Sequence, residues 1–234
     1  MPVAVGLMFY PVLRGVGREG MAFLLSLTIG LLGFLLVDAS GEALELAGEA
    51  AAIFQGPVMV VLAGLGSFLL LMAIGRRSGA PTGLALSTYI ALGIGLHNLG
   101  EGLAIGAAFA AGSAGLGTFL VLGFALHNVT EGIGIAAPIL KKRPPFPVFA
   151  GLTLLAGGPA VIGMWLGSLA TSAQWSALAL AVGAGAILQV IVEVGAYLMR
   201  QSDRRGDVFL TPPVLAGLAA GAVFMYVTAA LVKI

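Results

Sequence analysis

Two similar segments carry the side chains whose types and spacing point to chemistry in an otherwise apolar sequence. They contain both histidines of the chain, and residues 92–106 and 122–136 around them share eight of fifteen positions. The segments are His97-Asn98-Leu99-Gly100-Glu101-Gly102 and His127-Asn128-Val129-Thr130-Glu131-Gly132. Together they place two imidazoles, two carboxylates and two carboxamides in the middle of long apolar runs.

The spacing within each segment predicts that its polar side chains point the same way. His and Glu are four residues apart in each copy, so on a helix they share one face about one turn apart. Asn and Glu are three residues apart and lie on a neighbouring edge of that face. A short loop near 111–115 separates the two copies, which predicts adjacent, antiparallel helices. The motifs then meet at similar depth about a local pseudo-twofold axis in the membrane plane, as in many transporters.

Metal binding is the chemistry that this set of side chains favours. Two His and two Glu form an N2O2 donor set that suits Zn²⁺ and also tolerates Fe²⁺, Mn²⁺, Co²⁺ or Cd²⁺. Asn98 and Asn128 could add oxygen ligands, while the lack of cysteine excludes thiolate ligands. Carboxylates deep in a bilayer are costly unless they are compensated, and the predicted spans contain no Lys or Arg to pair with them. A divalent cation would supply the missing positive charge.

The elements that hold the motifs are predicted to be membrane helices. The chain is 59% hydrophobic and 9% charged, with a mean hydropathy of +1.09, and its longest uncharged runs exceed the ~20 residues that cross a bilayer. We therefore predict an all-α polytopic membrane protein with a single domain over residues 1–234. The predicted spans are 20–37, the stretch between Gly56-Pro57 and Arg76-Arg77, 84–110, 116–139, 146–169, 176–199 and 212–231. Residues 3–13 are too short to cross, and we interpret them either as the tail of a truncated first helix or as an interfacial segment.

The basic residues predict the orientation of these spans. Alternating spans place ten of the eleven Lys and Arg on one side and only Lys233 on the other. Because basic loops remain cytoplasmic, this side is predicted to face the cytoplasm, with the C-terminus outside. We expect a multi-pass protein of the cell inner membrane with seven spans, or eight if residues 3–13 belong to a crossing helix.

Two acidic features lie outside the repeated motifs. Asp38, Glu42, Glu45 and Glu49 follow the first long span, and the three glutamates share one helix face. They could concentrate cations at an outer entrance, with Glu42 as the candidate residue, or they could form an ordinary solvated face. Glu193, in the penultimate span, is interpreted either as an exit-side ligand or as a partner of a polar neighbour such as Gln189.

The motifs resemble those of a known family of transporters. His97–Gly106 and Leu126–Gly132 are similar to the fourth and fifth helices of the ZIP (Zrt-, Irt-like) family of divalent-metal transporters, most of all to its GufA-like bacterial branch. Glu42-Ala43-Leu44 resembles the acidic end of the second family helix, and Gly183–Ala186 followed by Glu193 resembles the seventh. The resemblance implies a bundle of eight helices with both termini outside and a metal site between the fourth and fifth.

The resemblance also implies what the site residues do. Zinc or a related divalent ion would be imported toward the cytoplasm. The implied primary ligands are His97, Glu101, His127 and Glu131, with Asn98 and Asn128 serving a neighbouring second ion.

The sequence departs from the family pattern at three places. Gly100 and Thr130 stand where the branch usually has Pro; Gly permits a softer bend, and the Thr hydroxyl can bond a carbonyl one turn back. The sixth family helix often has Glu before a Pro, whereas this chain reads Ala156-Gly157-Gly158-Pro159. A Met ligand of the second helix has no counterpart in residues 30–33. We therefore expect one good metal site, with the second weakened or lost.

These observations predict a secondary transporter or slow carrier of Zn²⁺-like ions, and not an enzyme. No nucleotide-binding loop of the Walker type is present in the sequence. The expected partners are a divalent metal ion and the lipid bilayer, with no nucleic acid and with a homodimer left open. Two alternatives use the same ligands: a non-transporting scaffold with a structural metal, and an intramembrane metalloenzyme, although the motifs have no nearby nucleophile or independent base.

Overall fold

The computed structural model describes residues 2–48, 55–77, 79–112, 114–169, 172–203 and 208–232. Within these ranges the secondary structure is entirely helical, as predicted. The helices are α1 (Pro2–Met8), α2 (Tyr10–Leu13), α3 (Arg18–Gly48), α4 (Gly56–Gly75), α5 (Gly83–Ala110), α6 (Ala114–Ala136), α7 (Phe146–Gly167), α8 (Ala173–Asp203) and α9 (Pro212–Val232). A 3₁₀ turn over Ala137–Ile139 continues α6.

Seven of the described helices, α3 to α9, are long and apolar enough to cross a membrane. A helix satisfies its own backbone hydrogen bonds, which is what a lipid environment requires of a spanning segment. The chain is therefore a multi-pass membrane protein, as the sequence predicts. At 31 residues each, α3 and α8 exceed the ~20 residues that cross the hydrocarbon core and extend beyond it. The extension of α3 carries Asp38, Glu42 and Glu45, whereas Glu49 lies outside the described residues.

The short N-terminal helix α1 lies within the bundle. Val3 and Leu7 are buried, and α1 packs against α6 and α7. A methyl group added at Gly132 of α6 would lie 2.4 Å from the carbonyl oxygen of Val3. The segment therefore reaches the depth of the second His-Asn motif instead of resting on the surface.

The helices pack in two groups that meet at the centre of the molecule. One group contains α1, α5, α6 and α7, and the other contains α3, α4, α8 and α9. The main contact between the groups is that of α5 with α8. These two helices are also the most buried of the candidate spans. The outer helices α4, α7 and α9 expose many large apolar side chains, as lipid-facing helices do.

Glycines set the close approach of α5 to α7. A methyl group at Gly102 would lie 2.2 Å from the carbonyl oxygen of Ala160, and one at Gly163 would lie 2.1 Å from that of Leu99. Small residues allow helix backbones to come this close in a membrane, where packing replaces the hydrophobic effect as the main attraction. Gly102 and Gly132 are thus packing residues beside the candidate ligands.

Basic residues from separate loops gather at one end of the bundle. The Tyr10 hydroxyl donates a hydrogen bond to the carbonyl oxygen of Lys142, and a methyl group at Gly83 would lie 3.7 Å from the Lys142 amine. Arg14, Arg18 and Lys141 line one cavity. The common side predicted for these residues therefore agrees with the packing, while Arg204, Arg205 and Lys233 lie outside the described residues.

A matched pair of glycine substitutions in α7 tests the packing of this helix. We expect Gly163→Ala to lower the melting temperature in detergent, because the new methyl group meets a backbone carbonyl of α5 and such overpacking typically costs about 1–3 kcal/mol. Gly158→Ala is the control, since nothing lies within 4 Å of its added methyl group. It should leave the melting temperature equal or slightly higher. Equal melting temperatures for the two variants would contradict the close α5–α7 packing.

Candidate metal centre

The two His-Asn motifs meet between α5 and α6, as their spacing predicts. Nε2 of His127 lies 3.1 Å from one carboxylate oxygen of Glu101, and Nε2 of His97 lies 3.4 Å from the other. One potential ligand atom from each of these three residues lies within 4.8 Å of the others. The Glu101 carboxylate therefore stands between two imidazoles that come from different helices.

The environment of this group is almost closed to solvent. His97 is 3% exposed and His127 is 2% exposed, while the side chain of Glu101 retains 19% exposure. Within the described residues Glu101 has no Lys or Arg partner, and its ion-pair neighbours are the two imidazoles. A buried carboxylate flanked by two nitrogen donors is suited to bind a divalent cation.

Glu131, the fourth predicted ligand, lies outside the three-residue group. It is 1% exposed, and neither of its carboxylate oxygens has a hydrogen-bond partner among the described residues. Its electrostatic neighbours are the two imidazoles and Glu101. The two carboxylates therefore do not follow the pseudo-twofold relation predicted for the motifs. Glu101 contacts both imidazoles, whereas Glu131 makes a hydrogen bond to neither. A buried carboxylate without a partner is costly, so Glu131 is an available ligand beside the group.

The two asparagines, predicted as ligands of a second ion, are hydrogen-bonded to each other. Nδ2 of Asn98 donates to Oδ1 of Asn128 at 2.9 Å and lies at the same distance from the carbonyl oxygen of Ala156 in α7. Nδ2 of Asn128 donates to the carbonyl oxygen of Phe124 at 3.0 Å. Both side chains are fully buried. They form a carboxamide pair that joins α5, α6 and α7 directly beside the candidate ligands.

Both positions that depart from the expected Pro lie within continuous helix. The Thr130 hydroxyl donates a 2.6 Å hydrogen bond to the carbonyl oxygen of His127, one turn back, as predicted. A methyl group at Gly100 would make only ordinary contacts, the nearest at 3.6 Å. Neither position removes a backbone donor as Pro would, so both motifs remain on regular helices.

A cavity connects the centre to the acidic end of α3. Its volume is about 90 Å³, and its lining includes His97, Glu101, Asp38 and Glu42. The exposed carboxylates of Asp38 and Glu42 therefore share one cavity with two candidate ligands. The role of Glu42 as an entrance residue stays a prediction.

Glu193, the predicted exit-side residue, is paired with a cation. Its Oε1 accepts a 3.1 Å hydrogen bond from Nε of Arg76, which follows the end of α4. Glu193 is 1% exposed, and its second carboxylate oxygen has no hydrogen-bond partner among the described residues. One turn away, Oε1 of the equally buried Gln189 also lacks a partner. Glu193 does not contact the three-residue group, and its role as an exit ligand stays a prediction.

Arg76 is the residue of this region that the sequence analysis missed. Two features of the sequence point to this pair. Arg76 directly follows α4 on the predicted basic side, and Glu193 lies in the half of α8 that is nearer to that side. A long Arg side chain can place its stem along apolar helices and its charged group at a carboxylate. Arg76 lies at the boundary of a span and not within it, so a count of cations inside the spans does not include it.

Comparisons with models of known protein families and with curated proteins find no match to this chain. The case for a function therefore depends on the side chains and their geometry.

Charge removal at the basic end of the molecule tests the Arg76–Glu193 pair. We expect Arg76→Gln to destabilise the protein by about 1–3 kcal/mol, because it leaves a buried carboxylate without its partner. Arg77→Gln is the matched control, since this equally exposed neighbour makes no ion pair among the described residues. The double variant Arg76→Gln/Glu193→Gln should recover part of the loss in a double-mutant cycle measured by thermal unfolding. Equal effects of Arg76→Gln and Arg77→Gln would show that the ion pair contributes no stability.

Proposed function

We propose that this protein is a divalent metal cation transporter, with Zn²⁺ as the preferred ion, that moves ions toward the cytoplasm through the His/Glu centre of α5 and α6. The observation that carries the proposal is the Glu101 carboxylate held between His97 and His127 on two adjacent membrane helices. The bilayer disfavours ionisable groups at this depth, so their presence in a span indicates an ion pathway or an ion site.

Charge balance favours a divalent ion over a monovalent one. Neutral imidazoles leave Glu101 and Glu131 with two negative charges, and neither carboxylate has a Lys or Arg partner in the described part of the chain. A bound ion with charge +2 would neutralise this set. Nitrogen and oxygen donors in a four-ligand group suit zinc, and they also accept Fe²⁺, Mn²⁺ or Cd²⁺.

The asparagine pair supports one principal ion site in this proposal. A second ion between Asn98 and Asn128 would have to replace hydrogen bonds that the two carboxamides already make. The α7 segment beside them contributes the carbonyl oxygen of Ala156 and no carboxylate. These contacts fit a second site that is weakened or lost, as the departures from the family pattern suggest.

The proposed route begins at the acidic end of α3. Asp38 and Glu42 line the cavity that reaches His97 and Glu101, and their negative charge would raise the local concentration of cations there. Basic residues gather at the opposite end, which the positive-inside rule assigns to the cytoplasm. On the cytoplasmic side the ion would pass near Glu193, whose pairing with Arg76 would have to loosen.

The scaffold alternative has one observation in its favour. His127–Glu101 and Asn98–Asn128 both connect α5 to α6, so a metal ion bound here could simply hold the two helices together. The two functions differ in a measurable way, because a scaffold binds the ion without releasing it across the membrane.

The flux of radioactive zinc into proteoliposomes tests the proposal. We expect saturable uptake by the wild-type protein and background uptake by His97→Ala/His127→Ala. Zinc affinity should fall more than the roughly 10–100-fold that loss of a supporting residue costs, because two direct ligands are removed. Thr88→Ala/Leu122→Ala is the matched control, since it shortens exposed side chains on the same two helices.

The two possible failures of this experiment have different meanings. Tight zinc binding without flux, in wild-type protein that remains folded, would favour the scaffold. Unchanged flux in the His97→Ala/His127→Ala variant would place the ion pathway elsewhere and contradict the proposed site.

Zinc binding should also weaken as the pH falls. An imidazole must be neutral to donate its lone pair to a metal, so protonation of His97 and His127 competes with the ion. We expect affinity, measured by isothermal titration, to decrease steadily from about pH 8 to about pH 5. The Thr88→Ala/Leu122→Ala control should show the same slope. Affinity that does not change over this range would argue against histidine ligands.

A further inference from the structure

A large cavity opens at the basic end of the molecule, and its lining contains none of the candidate metal ligands. Its volume is about 1380 Å³, above the ~300–1,000 Å³ typical of small-molecule sites. The walls come from both helix groups: the turn between α2 and α3, the 3₁₀ turn after α6, the end of α8 and the start of α9. The cavity is therefore a cleft between the two groups.

Positive charge dominates the rim of this cleft. Arg14, Arg18 and Lys141 line it, and Glu19 is the one acidic side chain among its described lining residues. All three basic side chains are exposed. Arg14 and Arg18 flank the turn between α2 and α3, whereas Lys141 follows the 3₁₀ turn after α6, so only the fold brings them together.

The inner wall of the same cleft is mostly apolar. Leu13 and Val214 are buried in it, and Leu140 and Phe209 are partly buried beside them. Tyr197 and Thr211 add hydroxyl groups to the lining. A ligand that fits both parts has a negatively charged head and an apolar tail.

We propose that this cleft binds an anionic phospholipid from the leaflet on the basic side of the membrane. The phosphate would lie near Arg14, Arg18 and Lys141, and an acyl chain would cover the apolar wall. Basic pockets between membrane helices are suited to anionic headgroups, because the low dielectric nearby strengthens each charge contact. The lipid would contact both helix groups at once.

The same charges make the cleft unsuitable as an exit for metal ions. A divalent cation would be repelled by a rim with three positive charges and one negative charge. Neither the candidate ligands nor Glu193 line it. The lipid proposal is thus independent of the proposed transport function, and lipid binding is measured without zinc.

A binding titration with two lipids tests the proposal. The full-length protein in detergent is titrated with phosphatidylglycerol and with phosphatidylcholine of the same acyl chains, and bound lipid is counted by native mass spectrometry. Each basic residue near a headgroup contributes about fivefold to affinity. We therefore expect phosphatidylglycerol to bind at least about tenfold more tightly than phosphatidylcholine.

Variants locate the binding. Arg14→Gln/Arg18→Gln/Lys141→Gln should reduce phosphatidylglycerol affinity on the order of 100-fold. The control Arg77→Gln/Arg143→Gln removes two exposed charges that do not line the cleft and should change affinity less than about twofold. The charge-preserving Arg14→Lys/Arg18→Lys/Lys141→Arg should retain binding, which separates lost charge from lost folding.

Three outcomes would overturn the proposal. Equal binding of the two lipids by the wild-type protein would show that the headgroup charge is not recognised. An equal loss of affinity in the Arg77/Arg143 control would place binding on the general basic surface. Glycerol phosphate that competes as strongly as the lipid would show that the apolar wall takes no part.

Discussion

The need of a buried carboxylate for nearby positive charge governs the centre of this protein. Glu101 lies in a membrane helix, and its two oxygens face the imidazoles of His97 and His127 at 3.4 and 3.1 Å. Glu131 has the same need and no partner among the described residues. Glu193, in the neighbouring core helix α8, meets this need with Arg76. The charge of Glu193 is thus compensated within the chain, whereas a divalent ion would compensate the charges of Glu101 and Glu131.

The rest of the fold keeps this polar centre away from lipid. The helix α5 carries the first motif and is packed between α7 and α8, so its polar face is enclosed. Glycines bring the α5 and α7 backbones into contact, while the Asn98–Asn128 pair fixes α6 against α5 at the same depth. The outer helices α4, α7 and α9 can then carry apolar side chains on all their faces. The opposite ends differ in charge, with acidic side chains at the small cavity and basic side chains at the large cleft.

Local patterns predicted the helices and the meeting of the two motifs. Apolar run length determines a membrane span, and a short loop between two spans makes them antiparallel neighbours, so residues 97 and 127 had to approach each other. The different surroundings of the two glutamates could not be predicted, because both copies place His, Asn and Glu at the same spacing. Arg76 and Glu193 are 117 positions apart, and their contact depends on how α4 lies against α8. The basic cleft likewise arises from loops that are distant in the sequence.

The most direct test of the central claim is the zinc-edge X-ray absorption spectrum of the zinc-loaded wild-type protein. The account predicts about two imidazole nitrogens and carboxylate oxygens at roughly 2.0–2.2 Å, with the multiple-scattering pattern of histidine. The imidazole signal should disappear in any zinc retained by the His97→Ala/His127→Ala variant. A wild-type spectrum with oxygen neighbours alone and no imidazole scattering would contradict a metal centre between α5 and α6.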